Sequence, residues 1–394
     1  MLVEVSREYK RPLCFTFIDL QVFDSIETQA VMEALGGPGV PTQSIKNLRE
    51  LYKNFTTKIS PVYNDINEDV KRGVRQGDAI SPKLFTATLE NVMRALEWDN
   101  MGVKIDGRQI HLRFADDIVL ITPDINQAER TLAHFDKACA KIGLRLNLKK
   151  TMFTKNGLVS FAPLTLNGTN ISECSSYVYL GREINMMNDL TPELSRRKRV
   201  GWAAFESIED VVKKTNNTRL RVHLFDSTVL PALTYASDIW TLRKQNERSL
   251  SVIKRVVQRA MLGVSCFALV RDGIRSSDLR QRSKIKDAVL SAKQSKIRWA
   301  GHVMRMNDNR STRAVSDWIP RDVKRTAGRS PTQWSEFFTK SIEEKYDVRR
   351  RVPKASKTHW ATLARDREKW KTGARSSHST INGTTCDTGD HISH

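Results

Sequence analysis

The stretch HLRFADDIVLIT, residues 111–122, sets two adjacent acids, Asp116 and Asp117, between apolar runs. Leu112, Phe114 and Ala115 precede the pair, and Ile118, Val119, Leu120 and Ile121 follow it. Such a segment reads as a buried strand. Placing carboxylates in that setting is costly unless a partner charge or a metal ion offsets it. An acidic pair alone most often marks a turn, so the neighbouring sequence has to decide what this one is for.

Upstream, FIDLQVFDSIE (17–27) reads as a strand that delivers Asp19 at its end. RGVRQGDAISPKLF (72–85) reads as a glycine-bearing loop running into a helix. There Ser81 is placed to accept from free first-turn N–H groups, with Pro82 at the first helical position. Phe85, Leu89, Val92, Met93 and Leu96 follow down one helical face. Asp106-Gly107 signals a hairpin turn before the acidic pair. A helix over about 126–142, the alternating GLRLNL, a hairpin turn at Gly168 and a further strand SYVYLGREI come after it. From about Thr191 the strand signals fade and amphipathic helices dominate, as in SLSVIKRVVQRAML, where Leu250, Ile253, Val257 and Met261 share a stripe.

These segments, taken in order, resemble the palm of a reverse transcriptase of the non-LTR (LINE-type) retrotransposons, with an RTE-like character. The family block F-x-D-x-x-K-A-F-D corresponds to Phe17-Ile-Asp19-Leu-Gln-Val-Phe23-Asp24. R-Q-G-D-x-x-S-P stands intact over Arg75–Pro82, F-A-D-D over Phe114–Asp117, and G-L-x-x-N-x-x-K-T over Gly143–Thr151. Y-L-G is Tyr179–Gly181. Residues 230–240 (LPALTYASDIW) and 297–310 (IRWAGHVMRMNDNR) look like the C-terminal regions of the same elements.

The resemblance implies an α+β fold: a palm made of an antiparallel sheet with helices on one face, then an α-helical thumb and a basic helical C-terminal region. The corresponding divisions are 1–185 for the palm with a remnant of the fingers, 186–270 for the thumb-like region, 271–375 for the basic region and 376–394 for a disordered tail. It also implies RNA-directed DNA synthesis from dNTPs on an RNA template and a DNA primer, with Mg2+ (or Mn2+) as cofactor. The chemistry of the acids agrees. In-line phosphoryl transfer builds charge on the attacking and leaving oxygens, which paired cations can clamp. Mg2+ is a hard ion that takes one or two carboxylates together with phosphates and water.

By resemblance, Asp19, Asp116 and Asp117 are the catalytic acids and metal ligands. Asp19 on one strand and Asp116 at the tip of a neighbouring β-hairpin are expected to bind directly, with Asp117 alternating to the other side of its strand in a supporting role. Lys150 corresponds to the family lysine that stabilises or protonates the leaving pyrophosphate. Phe23, Arg75, Gln76 and Gly77 correspond to nucleotide- and template-binding positions, and Tyr179, Leu180 and Gly181 to the primer grip.

The chain departs from the family pattern in one block. Three residues (Leu20, Gln21, Val22) separate Asp19 from Phe23, where the family has four. In an extended segment a one-residue deletion flips the side chains that follow it. Phe23 is therefore expected to miss its usual place, whereas Asp19, lying before the deletion, keeps its own. The chain begins 18 residues before Asp19, so the fingers and endonuclease that family members carry upstream of the palm are expected to be missing from it, with the polymerase site open on that side. Reduced activity of the chain by itself is the expectation.

Composition narrows the alternatives. The net charge of +21 lies wholly in the second half: residues 1–190 carry 23 Lys+Arg against 23 Asp+Glu, and residues 191–394 carry 42 against 21. Seven of the eight tryptophans share that half, a mix suited to a polyanion such as nucleic acid. The five cysteines are scattered without a C-x-x-C pair, which argues against a zinc site and fits a reducing compartment. No apolar run reaches the roughly 18–20 residues of a membrane span, and the N-terminus is not a secretory signal, so a nuclear or cytoplasmic location is expected. Two other readings accommodate part of the sequence. A catalytically inactive nucleic-acid-binding protein explains the basic half, and a carboxylate-metal nuclease or phosphatase explains the acid pair but not the other blocks.

Overall fold

In a computed structural model of the chain, the described residues are 1–21, 25–37, 39–53, 56–60, 66–69, 72–74, 78–96, 102–105, 108–109, 111–262, 264–273, 278, 283–306, 312, 316, 334–338 and 360–370. At the centre lies a sheet of six strands: β1 (Cys14–Ile18), β2 (His111–Phe114), β3 (Asp117–Thr122), β4 (Met152–Lys155), β5 (Leu164–Leu166) and β6 (Thr169–Glu173). Their spatial order is β5-β6-β4-β1-β3-β2. Strand β1 is antiparallel to both neighbours, pairing Ile18 with Ile118 on one side and Phe17 with Met152 on the other. The sheet is mixed rather than purely antiparallel, because β4 and β6 run parallel.

All five residues of β1 are buried, which follows from cover on both faces of the sheet. Cys14 and Ile18 point into a core shared with Ile118, Leu120 and Phe153. Helices α2 (Thr28–Gly36), α3 (Thr42–Tyr52), α4 (Ser81–Ala95) and α5 (Ile125–Ala140) close that side. In α5 the apolar positions Ala128, Leu132, Phe135 and Cys139 recur at helical spacing and are buried, and Asp124 caps the helix by accepting from the Gln127 N–H at 2.8 Å. Ser81 does not cap α4. Its Oγ is buried without a hydrogen-bond partner among the described residues, and Asp78 instead accepts from the Ile80 N–H at 3.3 Å.

Phe15 and Phe17 point to the opposite face, with Val119 and Ile121. That face is covered by α1 (Leu2–Glu8) and by a hairpin, β7 (Ser176–Tyr179) and β8 (Arg182–Asn185). SYVYLGREI is thus two antiparallel strands rather than one, with Tyr179 paired to Arg182 across the Leu180–Gly181 turn. The Asp106-Gly107 turn lies outside the described residues, although Lys104–Ile105 and Arg108–Gln109 pair on either side of it.

After Asn185 no strand occurs among the described residues. Helix α6 (Thr191–Lys214) packs on α7 (Thr218–Leu224), α8 (Leu230–Thr234) and α9 (Lys244–Leu262), burying Phe205, Val229, Leu233, Val257 and Met261. Beyond α10 (Cys266–Arg271), a second helical core gathers Ala300, Val303 and Met304 of α11 (Ala288–Met304) with Trp334, Phe338 and Trp360. Glu4 of α1 ties these regions to the palm: its buried carboxylate accepts from the Thr241 hydroxyl at 2.7 Å, the Asn188 amide at 3.3 Å and the Trp334 N–H at 3.2 Å. Among the described residues no helix is long and apolar enough to cross a membrane.

Candidate active site

The antiparallel pairing of β1 with β3 decides where the acids meet. Ile18 faces Ile118, so one step further along β1 and one step back along β3 brings Asp19 across from Asp117. Alternation puts both on the face of Phe15, Phe17 and Val119. Asp116 lies in the turn itself, because Phe114 pairs with Asp117 and leaves Ala115 and Asp116 as a two-residue connection. Ala115 adopts φ +53, a left-handed conformation that costs an L-residue roughly 1–2 kcal/mol. This turn is of the kind with positive φ at its first central position, where glycine would be unstrained. Asp117 therefore shares a face with Asp19.

The charges respond to this crowding. Partial burial and the neighbouring charges of Asp116 and Asp19 raise the pKa of Asp117 above the ordinary carboxylate value. Tyr177 and Tyr179, on the covering hairpin, are pushed up as well, by burial first and then by the carboxylates nearby. The Tyr177 ring stacks on Phe17 with centroids 4.0 Å apart. The Tyr179 hydroxyl donates to the Asp117 carbonyl at 3.3 Å, so the two hairpins touch at the site.

The segment Gly143–Thr151 brackets Asp19 from the other side. Leu20 pairs with Leu146, and the Asn147 N–H donates to the Asp19 carbonyl at 2.8 Å. The Asp19 N–H donates to Thr151 Oγ1 at 3.3 Å. Gly143, at φ +79, is required by a close approach, since a Cβ there would stand 2.6 Å from the Ser25 carbonyl. Lys150, mostly exposed, brings its ammonium to 3.9 Å from the Asp19 carboxylate. Asn147 and Thr151, part of the motif but given no role by sequence, are the residues that fix the Asp19 backbone.

The Tyr179–Gly181 turn sits at the junction with the helical half. Leu180 (φ +48) and Gly181 (φ +70) form its two-residue connection, and Leu180 is strained in the way Ala115 is. Four side chains from the helices reach this turn: Glu193, Arg196, Arg197 and Tyr235. The sequence contained no local signal for them. The structure thus brings Asp19, Asp116, Asp117, Lys150 and Tyr179 together, with Leu180 and Gly181 at the next turn. Phe23, Arg75, Gln76 and Gly77 lie outside the described residues.

Asp19 and Asp117 offer hard oxygen donors on one face, the number and kind that suit a divalent cation completed by phosphates and water. The raised proton affinity of Asp117 comes first from partial burial and then from the charges of Asp116 and Asp19, and a cation held beside it would lower it. No group of three His, Cys, Asp or Glu side chains among the described residues closes on one point.

Residues 3–184 match the family of the reverse transcriptase (RNA-dependent DNA polymerase). A transposon-derived protein of Caenorhabditis elegans is 35% identical over 273 residues, covering 68% of this chain and 96% of that protein. The Pol polyprotein of the type-1 retrotransposable element R2 of Bradysia coprophila is 26% identical over 151 residues, 38% of this chain and 17% of the polyprotein. The structure of apo telomerase from Candida tropicalis aligns with a TM-score of 0.38 at 14% identity, over 74% of this chain and 48% of that one. The chain belongs to the reverse-transcriptase family. Within it, it is a reverse transcriptase domain of the non-LTR retrotransposon kind, spanning less than a fifth of the R2 polyprotein it matches. Members of this family use divalent metal ions and take RNA as template.

Proposed function

We propose that this chain extends a DNA primer with dNTPs on an RNA template, using Mg2+ (or Mn2+) held by Asp19, Asp116 and Asp117. The observation that carries the reading is the register of β1 against β3, which sets Asp19 across from Asp117 at the ends of two paired strands. Bound there, Mg2+ would neutralise charge on the attacking and leaving oxygens of the phosphoryl transfer.

The chain's own groups do the rest. Hydrogen bonds from Asn147 and to Thr151 hold the Asp19 backbone, so its carboxylate needs no reorganisation when the phosphates arrive. Lys150, next to Asp19 on an exposed side chain, is within reach to pass from the carboxylate to the leaving pyrophosphate and supply charge or a proton there. Tyr177 and Tyr179 stay protonated beside the acids, so Tyr179 keeps its hydrogen bond to the Asp117 carbonyl. Arg75, Gln76 and Gly77 serve the nucleotide and template, with Phe23 shifted from that role by the one-residue deletion before it. Tyr179, Leu180 and Gly181 grip the primer, and the helices after Thr191 serve as thumb and basic nucleic-acid contacts.

The test is primer extension on an RNA template with dNTPs and Mg2+, beside Asp116→Asn. Removing one carboxylate is expected to slow extension by about 100-fold or more. Equal rates in both proteins would sink the assignment of the site. Duplex binding without any extension would leave a nucleic-acid-binding protein in place of the polymerase.

A further inference from the structure

The turn at Leu180–Gly181 is held from outside the palm. A two-residue connection with positive φ at both positions normally takes Asn, Asp or Gly, and here its first position is a leucine. Strain of this kind persists only where the surroundings over-determine it. The Tyr235 hydroxyl donates to the Leu180 carbonyl at 3.2 Å. Arg196 and Arg197 both donate to the Gly181 carbonyl. Glu193, fully buried at the start of α6, accepts from Arg197 Nε at 2.7 Å, from Arg196 Nε at 3.1 Å and from the Glu183 N–H at 2.9 Å.

The clamp is also packed. The Arg197 guanidinium lies 4.5 Å from the centre of the Tyr235 ring. That ring fills the space a Cβ on Gly181 would need, 3.1 Å from Tyr235 Cε1. Both carbonyls of the turn are therefore engaged by residues of α6 and of the end of α8, while the Leu180 side chain is left facing solvent. One further bond, from Tyr179 to the Asp117 carbonyl, joins the same hairpin to the acids.

We propose that Tyr235 and Arg197, with Glu193 as their counter-charge, are positioning residues that set the primer-gripping turn relative to the acids. They do so from the helical half of the molecule. This rests on the polymerase reading above. Among the described residues no hydrogen bond or ion pair joins Glu193, Arg197 or Tyr235 to Asp19, Asp116 or Asp117, so loss of the clamp should be felt by the primer and not by the dNTP.

Tyr235→Phe removes one hydroxyl and keeps the ring over Arg197, and Arg197→Lys keeps the charge but loses the planar fork. Each variant is compared with the full chain in steady-state extension, in fluorescence anisotropy with an RNA–DNA primer–template duplex, and in amide hydrogen exchange over residues 177–185. The expected result for Tyr235→Phe is a rise of about 3- to 10-fold in the primer–template KM and duplex Kd, the range for one lost hydrogen bond. Exchange at Gly181–Glu183 should quicken by a similar factor, with the dNTP KM and the thermal midpoint unchanged. Arg197→Lys should move the same parameters further. An active Tyr235→Phe protein with wild-type primer KM and exchange overturns the positioning role alone. So does a variant whose primer KM, dNTP KM and thermal midpoint all worsen together, because that is a general loss of structure. A wild-type chain that extends no primer overturns the polymerase reading and the proposal resting on it.

Discussion

Two hairpin turns border the site, and they are held in opposite ways. At Ala115–Asp116 and at Leu180–Gly181 a non-glycine residue sits at positive φ. The second turn is surrounded by compensation: two arginines and a tyrosine on its carbonyls, and a buried glutamate behind them. The first carries two carboxylates into the field of a third. The nearest cation to Asp19 recorded among the described residues is one exposed lysine. A single hydrogen bond from Tyr179 connects it to the other hairpin. The carbonyls of the Leu180–Gly181 turn are satisfied from within the molecule, whereas beside the acidic turn the described residues place one exposed lysine.

The contrast can be broken first at the satisfied turn. Glu193→Ala leaves two arginines and one amide without their buried acceptor, and removing one partner of a buried ion pair costs about 3–5 kcal/mol. Urea denaturation should show that loss. A change below about 1 kcal/mol would mean that water enters and the clamp is soft. A smaller effect of opposite sign belongs to the other turn. Ala115→Gly relieves roughly 1–2 kcal/mol of left-handed strain, offset by the greater freedom of glycine in the unfolded chain, for a net gain of about 0.5 kcal/mol. Destabilisation by this substitution would show that the alanine methyl makes a contact worth more than the strain.

The smallest effect sharpens the electrostatic half of the comparison. The pKa of Asp117 is raised above its ordinary 3.8 by burial and by Asp116 and Asp19, so the folded state holds this proton more tightly than the unfolded chain. The stability it contributes is present at low pH and is lost as pH rises through the raised value. Asp117→Asn should accordingly be more stable than the parent at neutral pH, by a few tenths of a kcal/mol because the site is largely solvated. The difference should fade below about pH 4. Thermal melts at both pH values read this, and added Mg2+ should stabilise the parent more than the variant. A variant less stable at neutral pH would reverse the picture of an under-compensated tip.

Much of the palm was legible in the chain. The amphipathic spacing of α4 and α5 and the acid pair flanked by apolar runs needed only local periodicity. Asp19, Lys150 and the Tyr179–Gly181 turn were reached through the order of the motifs. The reading failed where geometry is not local. The acid pair was expected on a hairpin and lies at its turn, but the alternation that set Asp117 in a supporting place depends on the register of β1 against β3, which puts it across from Asp19. SYVYLGREI was taken as one strand for a related reason, since leucine at a left-handed position is no turn signal. Asn147 and Thr151 were visible as motif letters, yet their task, holding the Asp19 backbone, appears only when the strands are paired.

By itself, the sequence determined most helices and strands of the palm and the family, because helical and strand periodicity and motif order are properties of neighbours along a chain. Only the tertiary structure decided that Asp117 faces Asp19, since β-sheet register is set by pairing partners about a hundred residues away. It alone decided, too, that Glu193, Arg197 and Tyr235 converge on a strained turn at Leu180. Those residues carry no local pattern, and it is the folding of the helices against the palm that brings their polar groups to the backbone carbonyls they satisfy.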